Sequence, residues 1–140
     1  MAGRAFVDTN VFVYAADASE PGKQKRAKEV LLATPGIVIS TQVVNEFYVV
    51  ATRKLKPPVP EDTAAKVAEG MVRYTCVPID ADLVLRAIRA GRRWQLSHWD
   101  ALVIEAARQA ACERVLSEDL ADGSAFDGVR IENPFVAPVQ

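Results

Sequence analysis

A chain of 140 residues, half of them hydrophobic, is long enough for one globular domain with an ordinary core, so a single domain over 1–140 is expected, with no disulfide or structural metal needed to hold it. A formal charge of −1 excludes a protein that grips nucleic acid by bulk basicity, because that affinity comes from Lys and Arg neutralising phosphates. The longest apolar runs, such as Val11 to Ala16, fall far short of the roughly 20 residues of a spanning helix, and no signal-peptide pattern opens the chain; a soluble, cytoplasmic protein without membrane contact is expected.

In chain order, Ala5-Phe6-Val7 reads as a short buried strand that runs out at Asp8-Thr9-Asn10. Gly36-Ile37-Val38-Ile39, Cys76-Val77-Pro78-Ile79 and Arg114-Val115-Leu116 repeat the pattern, and 129–131 closes one edge. Helical spacing falls at about 22–33, 41–54, 61–73, 80–92 and 98–111, with Thr41, Asp80 and Ser97 as N-caps. Lys56-Pro57-Pro58-Val59-Pro60 is a stiff linker, and 119–128 reads as a loop rich in Asp, Gly and Ser. The alternation indicates an α/β domain with a mainly parallel sheet of four to five short strands. Cys76 and Cys112 lack metal-ligand spacing and read as thiols in the core.

Four carboxylates stand out against this framework. Asp8 and Asp119 both emerge where a predicted strand ends, which in a parallel sheet is the edge where ligands bind. Glu46 shares the apolar side of its helix with Val43, Phe47 and Val50, a costly place for a charge that nothing compensates. Asp100 lies in the first turn of a helix whose inner face is apolar through Leu102, Val103, Ala106, Ala107 and Ala110. Each acid has an ordinary explanation too: Asp8 turns or caps the chain, Glu46 pairs with Arg53 or Lys54, and Ser97 with Asp100 forms a capping box. Together they converge on one edge, and acids packed that closely repel one another unless a hard cation offsets their charge. All-oxygen ligation points to Mg²⁺ or Mn²⁺, with Asn10 and Ser117 orienting the carboxylates. Asp122 is the candidate fifth acid, while Glu118 and Asp127 read as exposed loop charges.

Phe6-Val7-Asp8-Thr9-Asn10-Val11-Phe12-Val13-Tyr14 resembles the opening of PIN-domain nucleases, in particular VapC-type toxins of toxin–antitoxin pairs. Ser40-Thr41-Gln42-Val43-Val44-Asn45-Glu46-Phe47 resembles the second acidic motif of that family, Ser97-His98-Trp99-Asp100-Ala101-Leu102 the third and Leu116-Ser117-Glu118-Asp119 the fourth. The resemblance implies a PIN-like three-layer α/β/α sandwich, Mg²⁺ or Mn²⁺ dependence, RNA as substrate with tRNA or rRNA as its class, homodimerisation, and a VapB-like antitoxin partner. It further implies hydrolysis of RNA by metal-activated water, with Asp8, Asp100 and Asp119 as metal ligands and Glu46 holding a water or second ion.

Two other phosphoryl-transfer classes fit less well: a receiver domain wants a late Lys beside its acids, yet no Lys follows Lys66, and an aspartyl-phosphate phosphatase wants Asp where Asn10 stands. The alternative of a different kind is a non-catalytic PIN-like module that engages a protein partner.

Overall fold

A computed structural model describes residues 3–136. Its elements run β1 (Ala5–Val7), α1 (Thr9–Ala16), α2 (Pro21–Ala33), β2 (Ile37–Ser40), α3 (Thr41–Arg53), α4 (Glu61–Met71), β3 (Thr75–Val77), α5 (Ala81–Trp94), α6 (His98–Gln109), β4 (Arg114–Leu116), β5 (Ala125–Phe126) and β6 (Val129–Glu132). The sheet has the order β3-β2-β1-β4-β6-β5, parallel except for the β5–β6 pair. The chain steps outward from β1 to β2 and β3 through α1 to α4, then returns past β1 to β4 through α5 and α6. Right-handed crossovers in opposite directions place the two helix groups on opposite faces of the sheet. Accordingly α6 packs on β2, β4 and β6, while α3 packs on β2 and against α1 and α4. This is the expected three-layer PIN-like arrangement.

The sheet gains a sixth strand beyond the four to five expected, because the segment read as a loop contains a tight hairpin. Asp127 and Gly128 both take positive φ, 50° and 88°, and pair Phe126 with Val129 across a two-residue turn. That backbone suits Asp-Gly, since glycine carries no steric cost there.

α1 was not among the expected helices, and it starts directly after Asp8. Asp8 is its N-cap, accepting from the Thr9 N–H. The N-cap of α3 is Ser40 and not Thr41: the Ser40 hydroxyl accepts from Val43 N at 3.4 Å, while Thr41 Oγ1 accepts from Ile79 N and ties the α3 start to the end of β3. Asp80 and Ser97 cap α5 and α6 as expected.

The core centres on α6, where Ala101 to Ala107 are all buried, together with Phe6, Val7, Ile39, Phe47 and Val115. Cys112 is buried and Cys76 half-buried, both free thiols. Glu105 lies inside that run at 5% exposure and is held by Arg108, whose Nη1 reaches both carboxylate oxygens at 3.0 and 3.1 Å. Arg108→Ala strands this charge and is expected to lower stability by about 1–2 kcal/mol, read as a fall in the urea midpoint; the half-exposed guanidinium keeps the loss below that of a wholly buried pair. No helix among the described residues is long and apolar enough to cross a membrane.

Candidate active site

The connections leaving β1 and β4 diverge, which opens a crevice at the carboxyl edge between these two neighbouring strands. Register sets what stands there. Val7 pairs with Leu116, so the next residues outward, Asp8 and Ser117, face each other. The Asp8 N–H donates to Leu116 O at 3.0 Å, and the Ser117 hydroxyl donates to Asp8 Oδ2 at 2.7 Å. Ser117 is fully buried and uses every hydrogen-bonding capacity of its hydroxyl, accepting also from Asn10 Nδ2 at 3.2 Å and from Asp119 N at 3.1 Å.

Asn10 completes the bridge between the two strand ends. Its Nδ2 donates to Asp119 Oδ2 at 3.2 Å and its Oδ1 accepts from Glu118 N at 3.2 Å. Asp119, exposed at the rim, is thereby aimed back toward Asp8.

Glu46 enters from α3. Its Oε2 accepts from Thr9 Oγ1 at 2.9 Å and its Oε1 from Gln42 Nε2 at 3.0 Å. Neither Arg53 nor Lys54 pairs with it. Thr9 and Gln42 were not singled out from sequence, although one adjoins Asp8 and the other stands one helical turn before Glu46. Gln42 Nε2 also donates to Trp99 O at 3.3 Å, linking α3 to the first turn of α6, where Asp100 lies half-buried. The amino end of α6 therefore lies at the same edge, its far end being held at the opposite one by Arg4 Nη1 donating to Ala110 O.

The charges of Asp119 and Glu46 reach both Asp8 and Asp100. Burial pushes Asp8, 6% exposed, up to about 6, and the negative charges of Asp119 and Glu46 push the same way against the opposing hydrogen bonds from Ser117 and Thr9. Burial also raises Asp100, again with Asp119 and Glu46 adding to it and the Ser97 hydroxyl opposing. Some compensation is built in, because α1, α3 and α6 all begin at this edge and direct the positive ends of their dipoles at it.

Among the described residues, no group of three or more His, Cys, Asp or Glu side chains is arranged to hold a metal ion by itself. The oxygen donor set fits a hard cation such as Mg²⁺, which typically keeps much of its water and takes one or two carboxylates plus substrate phosphate.

Residues 5–121 match the family model described as PIN domain. The chain belongs to the PIN-domain family. Solved structures similar to this PIN domain include Mycobacterium tuberculosis VapC20, a sarcin-ricin loop cleaving toxin, with TM-score 0.66 and 21% identity over 82% of this chain and 91% of that one. A toxin-antitoxin complex from Klebsiella pneumoniae gives TM-score 0.69 and 20% identity over 94% and 98% of the two chains. DNA-bound VapBC from Salmonella typhimurium gives 0.64 and 18% over 96% and 99%. No curated protein matches the sequence.

Two further acids near Asp119 take separate places. Asp122 accepts from Asn133 N at 2.9 Å and lines a different hollow, with Arg26, Arg114 and Glu132, so the structure does not bring it to the other four. Glu118, expected as an exposed loop charge, is instead half-buried: Lys23 Nζ donates to its Oε2 at 2.9 Å and the Tyr14 hydroxyl to its Oε1 at 2.8 Å. These partners hold Glu118 below the usual carboxylate range despite burial, and they direct it away from the crevice toward α1 and α2.

Proposed function

We propose that this PIN-domain protein is a metal-dependent endoribonuclease, the toxin of a toxin–antitoxin pair, hydrolysing RNA phosphodiester bonds in the cytoplasm. The observation that carries this reading is that Asp8 and Asp100, both raised by burial, are each raised further by the charges of the same two acids, Asp119 and Glu46. A module that only binds protein gains nothing from a carboxylate buried beside like charges, whereas a nuclease that must hold a cation against a phosphate does.

Asp8, Asp100 and Asp119 would hold Mg²⁺, or Mn²⁺ in its place. Bound there, the cation supplies charge neutralisation at the phosphate and lowers the pKa of an attacking water. The protein's own contributions are positional. Thr9 and Gln42, donating to the two oxygens of Glu46, keep that carboxylate in one orientation, from which it holds the attacking water and receives its proton. Ser117 and Asn10 keep Asp8 and Asp119 aligned across the strand ends. The amino ends of α1, α3 and α6 favour the incoming phosphate.

The RNA assignment, with tRNA or rRNA as the class, rests on the family and on the likeness to a sarcin-ricin loop cleaving toxin. An antitoxin partner is supported by the toxin-antitoxin complexes among the similar structures. A homodimer belongs to the same family-based reading.

The test is cleavage of purified RNA with Mg²⁺ or Mn²⁺, with excess EDTA, and with Glu46→Gln prepared identically. Cleavage is expected with metal, none with EDTA, and a loss of about 10²- to 10⁴-fold in the variant, the usual effect of removing a general base. Activity that survives EDTA, or equal activity in Glu46→Gln, sinks the proposal.

A further inference from the structure

Beside the acids, on the far side of Glu46, lies a hollow of about 530 Å³ lined by Thr41, Gln42, Asn45, Glu46, Ile79, Trp99 and Leu102. Its chemistry differs from that of the crevice. Ile79 and Leu102 contribute an aliphatic surface, and the Trp99 side chain is left 64% exposed, the largest flat apolar group folding has not covered at this edge. Gln42 is 9% exposed, and its orientation is settled by the two acceptors of its Nε2, Glu46 Oε1 and Trp99 O. That leaves Gln42 Oε1 without a partner, the only buried side-chain polar atom so left among the described residues. Asn45 adds an amide at the same hollow, one hydrogen of its Nδ2 donated to Thr41 O.

An exposed aromatic face, an aliphatic surface and amide groups beside them make a surface suited to a nucleobase, which stacks through its π-face and hydrogen-bonds through its edge. Glu46 belongs both to the hollow and to the acid cluster, so a base held there would be attached to a nucleotide next to the scissile phosphate. We infer that Trp99 and the Gln42–Asn45 amides form a base-binding subsite that holds an unpaired nucleobase of the RNA substrate beside the cleavage point. This rests on the nuclease reading and deepens it. Stacking strength gives the subsite a preference: a purine, with its larger π-face, is held more tightly than uracil.

The experiment reads binding without cleavage. Trp94→Phe leaves Trp99 as the sole tryptophan, and this protein is titrated in EDTA with single-stranded oligoadenylate and oligouridylate. Stacking is expected to quench Trp99 emission, with oligoadenylate binding more tightly. In the same background Trp99→Ala is expected to weaken binding, measured by fluorescence anisotropy of labelled RNA, by about 5- to 100-fold, the range alanine substitution at a stacking aromatic gives, while Trp99→Phe retains most of the affinity. The fold of each variant is checked by its thermal melt.

Unquenched emission with unchanged affinity in folded Trp99→Ala overturns the subsite. So does Trp99 emission that shifts to the blue with protein concentration alone and monomerisation of Trp99→Ala, since the hollow then belongs to a second copy of the chain. Metal-dependent cleavage is scored separately. A negative titration with intact cleavage removes the subsite alone, and quenching without cleavage removes only the catalytic reading.

Discussion

Asp8→Asn is expected to reduce RNA cleavage by at least about a hundredfold and, at the same time, to make the metal-free protein more stable near neutral pH. The two effects have one origin. The Asp8 carboxyl is pushed up to about 6 from 3.8, chiefly by burial, so its charged form is less favourable in the folded chain than in the unfolded one. Between those values the folded protein binds more protons than the unfolded, and stability falls as pH rises through the window. The interval corresponds to about 3 kcal/mol at neutrality, fully relieved below pH ~4. Asn carries no charge to desolvate, is as good an N-cap as Asp for α1, and keeps an oxygen for the Thr9 N–H. Part of the gain is returned because the new amide nitrogen faces a Ser117 hydroxyl whose two acceptor sites are already taken by Asn10 and Asp119, so about 1–2 kcal/mol is the expected net stabilisation at pH 7.5. Melts in EDTA at pH 5 and 7.5 read this directly: the advantage of the variant should appear at pH 7.5 and shrink at pH 5. A variant less stable than the parent at pH 7.5, or one that still cleaves RNA, contradicts the assignment of Asp8 as a buried charge kept for a cation.

That cost is what made the acids legible in the sequence. Asp8 and Asp119 end apolar strands and Glu46 interrupts an apolar helix side, positions where a charge conflicts with local patterning; such conflicts tend to mark functional sites. The parallel sheet was legible for a related reason, since strands buried on both faces read as continuous apolar runs.

What stayed hidden depends on contacts that no local pattern encodes. α1 is short and, in Val11, Phe12, Val13 and Tyr14, carries β-branched and aromatic residues. It is covered by α2 and α3 over much of its surface, so it shows neither helix-favouring composition nor a polar face. The β5–β6 hairpin did carry a signal in Asp127-Gly128, but strands flanked by only Ala125 and Phe126 are too short to display alternation. Ser40 displaced Thr41 as the α3 cap because Thr41 is engaged by Ile79, a residue 38 positions away. Glu118 looked like a loop charge because its partners, Lys23 and Tyr14, lie about a hundred residues earlier in the chain. Thr9 and Gln42 likewise acquire their roles only once α1 and α3 meet at Glu46.

Ser117→Ala is the substitution in which structure and chemistry are expected to fail together. The hydroxyl is the one group that touches Asp8, Asn10 and the Asp119 backbone at once, and nothing else in the described structure stands ready to replace it. Its loss leaves the Asp119 N–H and one Asn10 donor without their acceptor and Asp8 Oδ2 without its donor. A stability loss of about 1–3 kcal/mol follows, chiefly because the buried Asp8 Oδ2 is left without its donor. The more specific consequence is electrostatic. The Ser117 hydrogen bond is what lowers Asp8 most against the effect of burial, so its removal drives Asp8 further above 6. A cation must then displace a more tightly held proton, and metal affinity is expected to fall about 10- to 100-fold near neutral pH, recovering as pH rises toward 8.5. Calorimetric titration with Mn²⁺ at pH 6.5, 7.5 and 8.5 measures this, alongside the pH profile of cleavage, whose acid limb should move to higher pH in the variant. A loss of affinity equal at all three pH values, with an unmoved acid limb, would mean that Ser117 only packs the strand ends and does not govern the charge on Asp8.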